Sequence, residues 1–293
     1  MEAAPQNLLQ SPVTADKCTL GCPVLDCCLG GGIPCNSITE IVAESGSGKT
    51  QICLQLCLCA QLPLSLGGLS ASSLFLHTEL PFPSRRLDQL SLAFRSSHGG
   101  RDPRDNIYVQ SVESVDQLLE VMDKMENFIA RSKLGLPLRV IVIDSIAALF
   151  RSEFENTQVD RIRRSSLFFK ISAKLKALAN LHNLVVVVTN QVVDSIGEID
   201  GVKGVRIGNM EGLFTSGRRV RPALGLAWAN CVNSRLFLSK DNPSSGYGGE
   251  GCGSCGGGDG DCGTRRKLHV VFAPHLPYLS CEFLIKREGV FGI

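Results

Sequence analysis

Charge of one sign is what this chain has least of: 30 Lys and Arg stand against 28 Asp and Glu, a formal balance of +2 over 293 residues. No global field follows from such a balance, so affinity for a polyanion has to come from local patches. Long apolar runs are missing too. No stretch approaches the ~18 residues of a membrane helix, and no membrane span is expected. No secretory leader is recognised, the 13 cysteines are odd in number, and Cys53, Cys57 and Cys59 lie in a helical pattern. These features argue against an extracellular disulfide framework and for a reducing compartment inside the cell. The 44% apolar content is ample for a core, and the length suits one large domain or two small ones.

What is present is concentrated between Ala43 and Thr50, Ala-Glu-Ser-Gly-Ser-Gly-Lys-Thr, directly after the short apolar strand Ser37 to Val42. A strand, a glycine-rich turn and a helix over Gln51 to Gln61 make a phosphate-binding loop. Gly46 and Gly48 let the backbone N–H groups of Ala43, Glu44, Ser45, Gly46, Ser47 and Gly48 turn inward around phosphate oxygens. Lys49 can reach the β- and γ-phosphates, and the Thr50 hydroxyl can ligate Mg²⁺. The helix start adds its positive dipole end. ATP and Mg²⁺ are therefore the expected ligands. Ala43 stands where the pattern usually begins with glycine, and its methyl is expected to let the loop close, though less freely. The bland alternative is a chance Gly-rich turn, which the flanking elements oppose.

A second site supports the first. Arg139 to Ser145 is a β-branched apolar run ending in Asp144-Ser145, as a parallel strand buried on both faces requires. An acid at that end can hold Mg²⁺ through water, together with Thr50. A helix cap or turn residue is the simpler reading of Asp144 taken alone. Further strands are expected at Ser73 to His77, Ile107 to Ser111 and Leu184 to Thr189, with helices over Val115 to Ser132 and Ser165 to Leu181. This alternation argues for α/β architecture: a mostly parallel twisted sheet with helices on both sides.

After Gln191 the pattern changes. Val192 to Pro222 is glycine-rich, has no long apolar period, and is too long for an ordinary connection. Strands return at Leu236 to Leu238 and Leu268 to Phe272, and Glu282 to Val290 reads as a closing edge strand and turn. Residues 1–17 read as a mobile tail and 18–293 as one ATPase domain. Within it, 241–263 is a flexible Gly/Ser/Cys-rich insertion, expected to be dispensable for the fold. Its Cys252, Cys255 and Cys262, with His269 as a distant fourth ligand, offer zinc as a weaker alternative.

The order and spacing of these pieces resemble the RecA-like recombinase family, and within it the eukaryotic recombinase paralogues. The likeness runs from Leu20 to Val290 apart from the insertion. It rests on Leu20-Gly21-Cys22-Pro23-Val24-Leu25-Asp26, Ile38-Thr39-Glu40-Ile41, Gly48-Lys49-Thr50-Gln51, Gln55-Leu56-Cys57, Arg151-Ser152-Glu153-Phe154, Ala273-Pro274-His275-Leu276-Pro277 and, most specifically, the run Pro222 to Asn230.

The resemblance implies roles. Glu79, after Thr78, falls where the family activates the attacking water. Arg86 falls near the adenine, and Gln191 where a γ-phosphate sensor sits. Surface carboxylate, exposed helix arginine and turn-forming amide are the plainer readings of these three. Two stretches match the DNA-binding loops. One holds Arg151, Arg161, Arg163 and Arg164 with Phe154. The other holds Lys203, Arg206, Arg218, Arg219 and Arg221 with Phe214. Basic grooves with occasional aromatics hold single strands without sequence preference, whereas two merely solvated loops are the competing account. Typical recombinases carry a helical domain and a polymerisation segment ahead of the core, and here little precedes Lys17. A heterodimer with the C-type paralogue is thus expected rather than a long homofilament, with ATP at a subunit interface near Pro274 and Pro277. The implied activity is weak DNA-linked ATP hydrolysis in double-strand-break repair by homologous recombination. It would assist the recombinase filament on single-stranded or branched DNA in the nucleus. A helicase-like motor on the same core and a non-hydrolysing ATP-binding scaffold are the alternatives.

Overall fold

The structure, a computed structural model, describes residues 16–79, 81–131, 135–152, 154, 157–195, 213–240 and 264–293. Residues 1–15 of the expected tail, the 241–263 insertion with its three cysteines, and the candidate DNA contacts Lys203 and Arg206 lie outside the described residues.

Lys17–Cys18 (β1) pairs with Ile33–Pro34 (β2) across the short helix Pro23–Cys28 (α1). Then follow Ser37–Ala43 (β3), Lys49–Cys59 (α2), Ser72–His77 (β4), Ser84–His98 (α3), Ile107–Ser111 (β5), Val115–Arg131 (α4), Leu138–Asp144 (β6), Ile146–Ser152 (α5), Gln158–His182 (α6) and Val185–Asn190 (β7). The rest comprises Val192–Asp194 (β8), Leu213–Thr215 (β9), Arg218–Pro222 (β10), Gly225–Ala229 (α7), Ser234–Lys240 (β11), Arg266–Phe272 (β12), Ser280–Ile285 (β13) and Val290–Gly292 (β14).

Among the described residues, the central sheet runs β14-β13-β12-β11-β3-β7-β6-β4-β5. Neighbours from β11 to β5 are parallel, and β12, β13 and β14 add antiparallel. Strand period decides the layering, because successive side chains point to opposite faces. Val140, Val142, Val185 and Val187 pack with α1, α2 and α3, while Ile141, Ile143, Val186 and Val188 pack with α4, α5, α6 and α7. The uninterrupted valines of β7 are therefore needed on both sides. Cys53, Cys57 and Cys59 are buried in α2, and burial pushes their thiols well above the ordinary range. They are core residues, and all ten cysteines among the described residues are free.

Three local readings change. First, α6 begins at Gln158, well before Ser165, because Thr157 caps it: its hydroxyl accepts the Asp160 N–H at 3.1 Å. Arg161, Arg163 and Arg164 therefore stand on helical turns and not in a loop. Second, Val192 to Pro222 is not structureless at its ends, where β8, β10 and β9 form a small antiparallel sheet. Third, the closing segment is two strands, β13 and β14, with β14 at the edge. Ala43 is the last residue of β3, paired with Leu238, and is absent from the positive-φ positions. Glycine's freedom is not needed there, so the methyl does not restrict the loop as expected.

Candidate nucleotide site and its basic neighbour

The parallel strands β3, β4, β6 and β7 end at one edge of the sheet, where open α/β sheets hold their ligands. A cleft of about 690 Å³ opens there, lined in part by Gly46, Gly48, Lys49, Thr50, Glu79 and Asp144. The phosphate loop turns through Gly46 (φ +78°) and Gly48 (φ +106°), backbone that side chains rarely adopt. A Cβ on Gly48 would lie 2.7 Å from Ile285 Cδ1, so the turn also needs the missing side chain for space.

Lys49 opens α2, and its Nζ donates to the Ala43 and Glu44 carbonyls at 2.9 and 3.1 Å. Burial lowers its pKa, while the nearby Asp144, Glu79 and Glu44 carboxylates push back. The Thr50 hydroxyl donates to Asp144 Oδ2 at 2.6 Å, and Thr189 donates to Oδ1 at 2.5 Å. Hydroxyl and carboxylate thus converge as Mg²⁺ binding requires: one protein carboxylate, with remaining positions left for phosphate and water. The Ser47 hydroxyl is fully buried and has no protein partner in the described residues. A lysine, a helix N-terminus, a glycine turn and this orphan hydroxyl fit a triphosphate.

Thr78 stitches β4 to β6. Its N–H donates to the Asp144 carbonyl at 3.0 Å, its hydroxyl donates to the Ser145 carbonyl at 2.6 Å, and that hydroxyl accepts the Ser145 N–H at 2.9 Å. Glu79 follows, and its Oε1 accepts from Gln191 Nε2, from Arg151 at 2.9 Å and from Ser145 Oγ at 3.5 Å. The structure therefore brings Glu79 and Gln191 together. It also draws in Arg151, expected only as a DNA contact.

Arg86 lines the same cleft. Its donors go to Gln51 Oε1 at 2.6 Å and to the Lys286 and Arg287 carbonyls at 2.7 and 2.8 Å, clamping the β13–β14 turn as a wall. The guanidinium edge is occupied by these bonds.

Of the remaining basic residues, Arg163 lies over Phe154 at 5.6 Å, and Arg164 lies over Phe168 while donating to the Leu224 carbonyl. Arg161 is exposed on the same helix. On β10, strand alternation separates the arginines. Arg219 and Arg221 share the exposed face, opposite Phe214 and Val193 on the flanking strands. Arg218 points with buried Val220 and pairs with Glu44 at 3.0 Å and Asp194 at 2.7 Å. His269, the suggested fourth zinc ligand, lies 2.9 Å from Ser239 Oγ, and no metal-binding cluster occurs among the described residues.

Sequence reasoning missed three partners: Thr189 for Asp144, Arg151 for Glu79, and the hairpin around Glu44. Each pair is far apart in the chain, so no spacing signal exists. It also missed a buried cluster beneath the site. Glu40 accepts from Arg235 Nε at 2.5 Å, Asn190 Nδ2 at 2.7 Å and Trp228 Nε1 at 3.0 Å.

A phosphate loop after β3, an acid two strands away at the end of β6 and a carboxylate beside them define a RecA-like nucleotide-binding core. The chain belongs to the Rad51 family, whose model matches residues 14–240. It is 53% identical to the DNA repair protein XRCC3 homolog of Arabidopsis thaliana, over 99% of this chain and 97% of that one. It is 36% identical to DNA repair protein XRCC3 of Bos taurus, over 96% and 76%. DNA repair protein rhp57 of Schizosaccharomyces pombe is 31% identical, over 98% and 82%. Members of this family bind ATP, generally with Mg²⁺.

Proposed function

We propose that this chain is an ATP-binding Rad51 paralogue of homologous-recombination repair. It acts in the nucleus on double-strand breaks, beside the C-type paralogue, and assists the strand-exchange filament on single-stranded or branched DNA. ATP hydrolysis is weak and linked to DNA. The observation that carries this reading is Glu79. It shares a cleft with Lys49, Thr50 and Asp144, and it is tied directly to Gln191, which leads into the basic three-stranded sheet. The relatives' names as DNA repair proteins support the cellular role.

In this reading Lys49 and the loop amides bind the phosphates, and Thr50 and Asp144 hold Mg²⁺. The metal, when bound, offsets phosphate charge. Glu79 takes a proton from the attacking water through Oε2, the oxygen that does not accept from Gln191, Arg151 and Ser145. Gln191, Arg151 and Ser145 orient that carboxylate. The test is ATP turnover measured with and without single-stranded DNA.

Lys49→Ala is expected to weaken ATP binding by about 1.5–3 kcal/mol, the range for hydrogen bonds to charged groups. Titration calorimetry on the folded variant checks this, and wild-type affinity would remove the site from the phosphate.

DNA contact is assigned to Arg219 and Arg221 with Phe214, and to Arg161, Arg163 and Arg164 with Phe154. Replacing Arg219 and Arg221 by Ala is expected to flatten the salt dependence of single-strand binding by about 0.7 per lost phosphate contact. Binding is expected to be indifferent to base sequence. An unchanged slope would mean that a partner brings the DNA.

A further inference from the structure

Glu44 places a negative charge in the segment that receives phosphate. Its side chain is 7% exposed. It does not face the cleft, whose lining includes Ser45 and Gly46 but not Glu44. Instead it reaches the β9–β10 hairpin. Thr215 Oγ1 donates to Oε1 at 2.9 Å, Ser216 Oγ donates to the same oxygen, and Arg218 donates to Oε2 at 3.0 Å. Lys240 stands 3.5 Å from Oε1 and also donates to the Ser45 carbonyl at 3.3 Å. Burial opposes the charged form of Glu44, but the Ser216, Arg218 and Thr215 bonds and the Lys240 charge outweigh it and hold the carboxyl below its usual range.

The hairpin is shaped for this grip. Ser216 (φ +49°) and Gly217 (φ +73°) form a two-residue turn with both residues left-handed. Asn or Gly is the comfortable choice at the first position. Serine there accepts backbone strain, and its hydroxyl meets Glu44 beside that of Thr215.

We propose that Glu44 is a positioning residue that couples the phosphate loop to the β9–β10 hairpin, with Ser216 and Arg218 as its receivers. The link begins at Lys49, whose ammonium shares its donors between the Ala43 and Glu44 carbonyls. A phosphate competes for those donors. Binding it therefore changes the hydrogen bonding of the Glu44 backbone, while the Glu44 carboxylate is held by the hairpin. The displacement passes to β10, whose other face carries Arg219 and Arg221. Two tethers then join the nucleotide cleft to the small sheet: Gln191 at the head of β8, and Glu44 at the β9–β10 turn. Asp194 of β8 shares Arg218, so the two tethers meet at one guanidinium. The consequence for DNA rests on the reading of Arg219 and Arg221 above; the coupling to the hairpin does not.

The test uses the full chain and reads the hairpin itself. Amide hydrogen exchange over residues 213–222 is measured with and without saturating ATP and Mg²⁺, in the wild type, Ser216→Gly, Arg218→Gln and Arg218→Lys. Ser216→Gly is at ease in the left-handed turn and removes the hydroxyl together with its Cβ. Saturation of each protein removes differences in ATP affinity from the comparison. The wild-type hairpin is expected to change its exchange rate several-fold, about fivefold or more for a coupling of ordinary size. That response is expected to fall by at least about half in Ser216→Gly and Arg218→Gln, and to be largely kept in Arg218→Lys, which retains the charge. A hairpin that ignores the nucleotide in the wild type, or responds fully in Ser216→Gly and Arg218→Gln, overturns the coupling. Oligo-dT affinity is read in parallel. A wild-type response that is halved or lost in those two variants, with no DNA binding in any protein, leaves the coupling standing and removes the DNA reading. Wild-type DNA binding with an undiminished response in those two variants does the reverse.

Discussion

Glu79→Gln is expected to retain ATP binding and to lose hydrolysis by about 10²-fold or more, the usual contribution of a positioned general base. The amide keeps the shape and can still meet Gln191, but it cannot accept a proton from water. The arrangement argues that Glu79 is the base: Ser145 between β6 and α5, Arg151 of α5 and Gln191 just before β8 all donate to Oε1, which orients the carboxylate and leaves the proton to Oε2. Asp144 is bonded to Thr50 and Thr189 and is assigned to Mg²⁺, which leaves Glu79 for the water. Single-turnover measurement of phosphate release, with DNA present, separates binding from chemistry. Wild-type turnover in Glu79→Gln would mean that the assembly takes its base from a partner subunit.

The largest effect on stability is expected at Arg235. It is 1% exposed, its partner Glu40 is fully buried, and the pair joins the phosphate-loop strand to its neighbour β11. Arg235→Met leaves a buried carboxylate whose remaining donors in the cluster are Trp228 and Asn190. Breaking a buried pair in this way costs about 3–5 kcal/mol. In a domain of this size that lowers Tm by roughly 6 °C or more. Adding Glu40→Gln removes the stranded charge while keeping an acceptor for Trp228 and Asn190, so the double variant is expected to recover much of the loss. Urea unfolding of both variants decides it. A single variant as stable as the wild type would show that the cluster contributes little.

Much of the fold was legible because its signals are local. The apolar runs at Ser37 to Val42, Ser73 to His77 and Val140 to Ile143 lie on strands, the run at Leu184 to Thr189 does so from Val185 on, and Ile107–Ser111 has the expected bounds. The start of α6 was missed because apolar periodicity was weighed and the Thr157 cap was not. The small sheet was missed because β8 and β9 are only three residues each, too short for an alternation to register.

The site divides along the same line. The amino-acid order alone pointed to the phosphate loop and the acid at Asp144, where the chemistry lies within a few consecutive residues beside a strand whose composition marks it. The carboxylate after Thr78 and the basic stretches took their expected roles from the family resemblance. Only the tertiary structure decided what those groups are bonded to. Arg151 reaches Glu79 because β4 and β6 lie side by side in parallel register, so the segments that follow them start next to each other. Arg218 meets Glu44, and not the face of Arg219 and Arg221, because strand alternation and a two-residue turn aim it there. Glu40 finds Arg235 because β3 and β11 lie side by side in parallel register. Such pairings come from strand order and register, which bring together residues that are distant in the chain.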